Sequence, residues 1–205
     1  MKPTPAGTPG SYEIIEQTTL YSGFFSLIRL RLRHALFRGG WSRVVERELF
    51  HRGRCVAVLL YAPRQDQVVL IEQFRVGALL ANESPWLVEI VAGAIEEGET
   101  PEQVARREAQ EEAGCQLREL FPVYEFFTTP GGLSEKITLF CGIVEEPVPG
   151  GVHGLDEEDE DIRSFVVGVD EALSMLGQGR IDSGIPIVAL QWLALNRQDL
   201  RRRFV

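Results

Sequence analysis

Cysteine is scarce in this chain. The three present, Cys55, Cys115 and Cys141, are too widely spaced to form a metal-binding signature. Cys55 and Cys141 fall in apolar, strand-like runs, which predicts buried free thiols and a reducing compartment. Long apolar stretches are absent, so no segment is predicted to span a bilayer. The opening residues, MKPTPAGTPGS, have no apolar core of the kind a secretory leader needs and read as a flexible tail, so the expected location is cytoplasmic. Positive charge is in deficit: 21 Lys and Arg against 30 Asp and Glu give a formal net charge of -9. That balance argues against nucleic acid as a partner, and no helix-turn-helix pattern is present. Histidine is sparse too. His34, His51 and His153 show no ligand spacing and read as structural or surface residues. No internal repeat is visible.

The remainder is ordinary for a soluble globular protein. At 205 residues, with 44% hydrophobic and 25% charged content, the chain can bury one proper core and carry a small appendage. Its first quarter holds three β-like runs, SYEIIEQTTLYSG, FSLIRLRLRHALF and SRVVERELFHRG. The second alternates Leu27-Ile28-Arg29-Leu30-Arg31-Leu32-Arg33, as a half-buried antiparallel strand does. Gly39-Gly40 marks the turn before the third. From about Cys55 the runs become richer in aliphatics. CVAVLLYAP and QVVLIEQFR read as central strands split by a turn at residues 64–66, and WLVEIVAG follows as one more strand. VYEFFTTPGG, KITLFCGIV and IRSFVVG are further strands. DEALSMLGQG and a long segment beginning near Ser183 are helices, the latter with an expected apolar stripe of Ile187, Leu190, Leu193 and Leu195 and with Trp192 in the core. The expected organisation is a flexible tail at 1–12, an antiparallel sheet at 13–53, and an α/β domain with a mixed sheet and helices on both faces at 54–205.

One stretch carries the chemistry: GAIEEGETPEQVARREAQEEAGC, residues 93–115. Thr100 is a good helix N-cap, Pro101 suits the first helical position, and Gln103 completes a capping-box pattern. Gly114 supplies the stop. Inside that helix Glu108, Glu111 and Glu112 stand beside Arg107, and residues three and four apart share a face. Three carboxylates on one face repel unless something positive sits against them, and hard dications with oxygen ligands such as Mg²⁺ serve that purpose. A cradle of this kind handles phosphates.

The spacing sharpens that reading. Gly93, five residues, Glu99, seven residues, then Arg107-Glu108-Ala109-Gln110-Glu111-Glu112-Ala113-Gly114-Cys115 resembles the Nudix box, G-x5-E-x7-R-E-U-x-E-E-x-G-U. Every fixed polar and glycine position is present. The two U positions, normally aliphatic, hold Ala109 and Cys115, departures that touch helix packing and not chemistry. The likeness extends through TLYSGFFSL, LIEQFR, PWLVEIVAGAIEEGE, TTPGGLSE, HGLDEEDEDIR and IVALQWL. Pro130, sixteen residues beyond Gly114, is the mark of the ADP-ribose branch. Nearly the whole chain therefore resembles the bacterial ADP-ribose pyrophosphatases of the Nudix superfamily.

The resemblance implies a Nudix α/β/α sandwich with a small N-terminal antiparallel sheet. It implies two or three Mg²⁺ ions, with Mn²⁺ as an alternative, held by Glu108, Glu112 and the carbonyl of Ala92. Glu111 supports the cluster, Glu96 and Glu99 are weaker candidates, and Arg107 pairs with Glu99 to prop the loop. In the acidic run at 156–161, Glu158 is the implied general base and Glu160 a loop ligand to metal. Lying two residues apart, the two are interchangeable on sequence, and alone the run reads as a solvated loop. Implied substrate contacts are Phe24 against adenine, with Arg47, Arg75 and Glu135 around the diphosphate and terminal ribose. Each has a plainer alternative: a core aromatic for Phe24, surface ion pairs for Arg47 and Arg75, a hairpin loop for the segment holding Glu135. The implied reaction converts ADP-ribose to AMP and ribose 5-phosphate, with attack at either phosphorus. The implied assembly is a homodimer with the N-terminal sheet exchanged, so that Phe24 and Arg47 serve the partner's site. Two other readings compete: a hydrolase of other nucleoside diphosphate sugars or NADH, and a non-catalytic ADP-ribose sensor.

Overall fold

The computed structural model describes residues 10–81, 83–147, 150–155, 157 and 159–205. They divide into two compact units, the described residues up to 53 with 129–135, and those of 54–128 with those of 136–205.

In the first unit, β1 (Tyr12–Ser22), β2 (Ser26–His34) and β3 (Val45–His51) form an antiparallel sheet in that order. Gly39 and Gly40, both at positive φ, make the turn between β2 and β3 that their sequence promised. The alternation of β2 pairs Arg31 and Arg33 with Glu16 and Glu13 of β1 at 2.9 and 2.6 Å. On β1, Ile14, Ile15 and Leu20 remain exposed. Residues 129–135 join this unit through an isolated bridge from Phe50 to Leu133, and His51 Nδ1 lies 2.7 Å from the Ser134 hydroxyl.

The second unit is built on an eight-stranded mixed sheet. Its path runs β10 (Gly151–His153), β11 (Ile162–Gly168), β5 (Gln67–Phe74), β4 (Arg54–Ala62), β9 (Lys136–Ile143), β8 (Glu119–Phe127). β4 and β9 pair in parallel and their neighbours are antiparallel. WLVEIVAG, expected as one strand, is two. β6 (Trp86–Glu89) pairs with β5 and β7 (Val91–Ala94) pairs with β4, the break falling at Ile90. One apolar run thus serves two partners, which periodicity cannot reveal. A short helix α1 (Val76–Leu80) and strand β10 also appear where no periodicity signalled an element.

β4 shows why both sheet faces are covered. Cys55, Ala57, Leu59 and Tyr61 enter one buried cluster, together with residues of α3 (Val169–Gly177) and α4 (Gly184–Phe204). Val56, Val58, Leu60 and Ala62 enter the other, against Val104, Ala105, Ala109 and Ala113 of α2 (Pro101–Ala113). A strand with both faces buried reads as a continuous aliphatic run. All three cysteines are buried thiols outside any disulfide, and burial keeps the Cys141 thiol protonated by pushing its pKa up.

The stripe on α4 differs from expectation at two positions, since Ile187 is only partly buried and lies outside the core cluster. Leu190 and Leu193 are buried, but Leu195 is 85% exposed, and the buried series continues at Leu200 and Phe204. A residue two beyond Leu193 is turned about 200° around the helix, so it faces away. Trp192 packs against the core with its ring 6.1 Å from that of Phe121. Between core positions Arg197 reaches Asp66, which tops the turn between β4 and β5 and also accepts from the Tyr61 hydroxyl at 2.8 Å. Burial raises the Asp66 pKa, but Arg197 and Tyr61 outweigh it and hold the carboxyl below its ordinary value.

Candidate active site

The acidic stretch forms a strand, a loop and a helix, in that order. Thr100 Oγ1 accepts from the Gln103 N–H at 3.3 Å, and Gln103 Oε1 accepts from the Thr100 N–H at 2.8 Å. This reciprocal pair satisfies two otherwise orphaned groups and fixes where α2 begins. At the other end Gly114 adopts φ 63, a left-handed conformation that favours glycine. Ala109 and Cys115, the two atypical box positions, are both buried in the cluster between α2 and the sheet, where small apolar groups fit.

Arg107 organises the exposed side of this helix. Its Nε and Nη2 donate to the two oxygens of Glu99 at 3.1 and 3.3 Å, and its Nη1 donates to Glu108 and Glu111, each at 2.9 Å. Glu99 Oε2 in turn accepts from the Glu96 N–H at 3.1 Å. Arg107 and the Glu96 N–H together hold the Glu99 carboxyl below its usual range. Burial opposes the charge on Arg107, yet its bonds to Glu99 and Glu111 keep its pKa raised. The guanidinium is therefore one positive partner that the carboxylate cluster requires, and the pairing with Glu99 ties the loop to the helix.

Glu112 lies beyond its reach. It is 2% exposed, and its Oε2 accepts from the Ala92 N–H at 2.9 Å. Burial, reinforced by Glu108 and Glu160 and opposed by the Ala92 N–H and Arg75, pushes the Glu112 carboxyl up to about 8. Burial likewise pushes Glu108 up to about 7, with Arg107 opposing and Glu111 and Glu160 adding to it. Glu108 also needs Gly93. A Cβ at position 93 would lie 1.7 Å from Glu108 Oε1, so only glycine in β7 leaves room for that carboxylate. In an antiparallel strand one residue's N–H and C=O face the same edge. Ala92 directs its N–H to Glu112, so its carbonyl faces the same side.

Buried carboxylates with raised pKa values suit a hard dication, because an ion with oxygen ligands offsets the cost of their burial. Glu108, Glu112, Glu160 and the Ala92 carbonyl are all oxygen donors, and they fit such an ion by chemistry. Among the described residues, no three His, Cys, Asp or Glu side chains already converge as a formed metal cluster. Glu158 lies outside the described residues.

The remaining expected residues are placed as follows. Arg75 follows β5, and its Nε donates to Glu89 at 2.8 Å. Glu89 Oε1 also accepts from the Ser183 hydroxyl at 3.3 Å. Arg75 is thus both paired and felt electrostatically by Glu112. The part of Glu89 was missed, although one charge inside the apolar run WLVEIVAG was the available signal. In the first unit Phe24 is 83% exposed, packs edge-on against Phe25 and lies under the Arg52 guanidinium. Arg52 also lies 3.7 Å from Glu135. Arg47 is exposed, and its Nη1 donates to the Glu46 carbonyl at 2.7 Å. The structure therefore brings Ala92, Glu108, Glu111, Glu112, Glu160 and Arg75 to one side of the second unit, whereas Phe24, Arg47 and Glu135 belong to the first.

A profile of the NUDIX domain matches residues 51–185, which contain the whole strand, loop and helix. The chain belongs to the NUDIX family. Among curated NUDIX relatives, the ADP-ribose pyrophosphatase of Escherichia coli strain K12 is 48% identical over 192 residues, 94% of this chain and 92% of that protein. The ADP-ribose pyrophosphatase of Haemophilus influenzae strain Rd is 46% identical over 93% of this chain and 89% of its own length. The GDP-mannose pyrophosphatase of Escherichia coli O1:K1 / APEC is 35% identical over 74% of this chain and 78% of its own length. A solved structure described as an ADP compounds hydrolase superposes with a TM-score of 0.72, covering 97% of this chain and 99% of that one at 19% identity, which shows a shared fold.

The two raised carboxylates have a measurable consequence. Between pH 4.5 and about 8 the folded, metal-free protein retains protons on Glu108 and Glu112 that the unfolded chain has released. Folding stability contributed by these groups is full below pH 4.5 and is lost as pH rises through 7 to 8. Differential scanning calorimetry of the metal-stripped protein is expected to show Tm falling across this window through these groups. Millimolar Mg²⁺ is expected to raise Tm more at pH 8 than at pH 5, because ligands bind metal deprotonated.

Proposed function

We propose that this chain is a divalent-metal-dependent ADP-ribose pyrophosphatase that forms AMP and ribose 5-phosphate. The observation that carries the chemistry is the pair Glu108, half-buried, and Glu112, buried, one turn apart on α2 with their carboxyls held above the ordinary range. The curated relatives at 48% and 46% identity support the substrate.

Glu108, Glu112, Glu160 and the Ala92 carbonyl would hold the metal, two or three Mg²⁺ with Mn²⁺ as the alternative. When bound, it neutralises the diphosphate and acidifies the attacking water. Glu158 would take the proton from the attacking water, with Glu160 as the alternative base, a carboxylate being adequate for that transfer. Arg107 keeps Glu99 and its loop in register with the helix. Glu111, shared with Arg107, supports the cluster. Arg75 adds positive charge toward the diphosphate, and its pairing to Glu89 fixes its stem. Phe24, Arg47 and Glu135 bind adenine, diphosphate and terminal ribose. Exposure of Ile14, Ile15 and Leu20 on β1 supports a homodimer through the N-terminal sheet, in which Phe24 and Arg47 serve the partner's site. No helix among the described residues is long and apolar enough to cross a membrane, and we place the protein in the cytoplasm.

The GDP-mannose pyrophosphatase among the relatives favours one second reading, a hydrolase of other nucleoside diphosphate sugars. Phosphate release, coupled through a phosphatase, from ADP-ribose, ADP-glucose, GDP-mannose and NADH decides between them. ADP-ribose is expected to dominate in kcat/KM, and metal-stripped enzyme is expected to be inactive. Equal rates on ADP-ribose and ADP-glucose would defeat the narrower assignment. Glu158→Gln is expected to lower kcat by about 10²-fold with KM little changed. Unchanged turnover would move the base to Glu160.

A further inference from the structure

Glu160, beyond β10, is tied to the box helix by two residues outside the box, His153 and Gly154. α2 ends with the Gly114 and Cys115 N–H groups bonded back to Gln110 and Ala109 at 3.0 and 2.9 Å. The Glu111 carbonyl, one of the last acceptors of the helix, takes the Gly154 N–H at 3.2 Å. An orphan acceptor at a helix end is thus satisfied by the residue that begins the acidic segment. Just before it, the His153 ring lies against Gly114. A Cβ on Gly114 would come within 3.0 Å of His153 Cε1, and one on Gly151 within 3.1 Å of His153 Nε2. Two glycines therefore form the slot that the ring fills. His153 Nε2 is buried and has no hydrogen-bond partner among the described residues, so packing holds that edge.

Gly154 also fixes Glu160. Its φ is 105°, a conformation that disfavours side chains, and a Cβ there would meet Glu160 Cβ at 2.7 Å and the Glu160 carbonyl oxygen at 2.9 Å. Glu160 is further held by its N–H to the Leu155 carbonyl at 3.3 Å and by its Oε2, which accepts from the Leu155 N–H at 3.4 Å. One continuous set of contacts thus runs from the last turn of α2, through Gly154, to Glu160. Glu108 and Glu112 project from that same helix and feel the Glu160 charge.

We propose that His153 and Gly154 are positioning residues that clamp the segment after β10 to the C-terminal turn of α2, so that Glu160 is held at a fixed place beside Glu108 and Glu112 and the three can share one divalent cation. This rests on the divalent-metal reading of the site given above. Both residues act through Glu160, which Gly154 contacts and which the His153 ring helps to seat. The glycines at 114, 151 and 154 are needed because a side chain at any of them would displace the ring or the carboxylate.

Metal-stripped full-length protein titrated calorimetrically with Mn²⁺ tests the clamp. The set is the native chain, His153→Ala, Gly154→Ala, Glu160→Gln and each of the first two combined with Glu160→Gln. His153→Ala and Gly154→Ala are each expected to weaken Mn²⁺ binding by about 10-fold, the size seen when a residue that orients a ligand is lost. Added to Glu160→Gln, either is expected to cause less than about a twofold further loss, because residues acting through one group are non-additive. In turnover, kcat should fall with KM for ADP-ribose unchanged. Full additivity, or single variants that bind Mn²⁺ like the native chain, would overturn the clamp and leave the hydrolase reading standing. A native chain that binds no Mn²⁺ would sink both. Gly154→Ala carries backbone strain, so His153→Ala, which adds none, carries the test alone if the former does not fold.

Discussion

Glu112→Gln is expected to lower kcat by about 10²–10³-fold while making the metal-free protein more stable at pH 8. Both effects come from one property. Glu112 is 2% exposed, and its charge is carried at a cost that a bound dication would repay. Glutamine keeps the shape and an oxygen that accepts the Ala92 N–H, so the link between α2 and β7 survives. The charge needed to hold a cation does not. With the buried charge gone, the metal-free Tm should lose part of its decline between pH 4.5 and 8, the window set by the raised carboxyl. Calorimetry across pH and steady-state kinetics in Mg²⁺ together check this. A variant that kept full turnover, or whose metal-free Tm fell with pH like that of the native chain, would show that Glu112 carries no charge of consequence.

Gly93→Ala separates chemistry from stability in another way. The new methyl would sit 1.7 Å from Glu108 Oε1 and 2.2 Å from its Cδ, a separation no real pair of atoms tolerates. The atoms it meets belong to the end of a flexible side chain and not to backbone, so Glu108 can swing aside without unfolding the strand. We expect kcat to fall by about 10²-fold, with a loss of stability of only about 1 kcal/mol. Activity titrated against Mg²⁺ should shift to higher concentration, because the displaced carboxylate no longer stands beside Glu112. Near-native activity would mean that Glu108 does not need that position. A collapse in Tm matching the loss of activity would mean that the glycine serves the fold rather than the site.

Much of this was legible beforehand. The start and stop of α2 followed from Thr100, Pro101, Gln103 and Gly114 because capping is local chemistry. The strands around Cys55 and Val68 followed from uninterrupted aliphatic runs. The salt bridge from Arg107 to Glu99 followed from the resemblance and is present in the structure. Other features depended on which distant segments meet. WLVEIVAG reads as a single strand, but its two halves face different partners. Leu195 shares the composition of a core stripe yet points outward, since helical phase over several turns depends on what the helix packs against. Glu89, His153 and Gly154 lie inside stretches that carry the resemblance, yet their spacing assigns them no role, because those roles arise only through Arg75 and through the end of α2.

By itself the sequence determined the family, the limits of the acidic helix and the identity of the carboxylates, because each is encoded in residue type and spacing within about 25 positions. Only the tertiary structure decided which of those carboxylates pay for burial. Arg107 neutralises Glu111 and part of Glu108 at the edge of the helix, while the sheet covers Glu112 and leaves it an amide N–H and a distant arginine. Desolvation depends on what lies above a group, and nothing in the spacing of three glutamates says which one the sheet will cover.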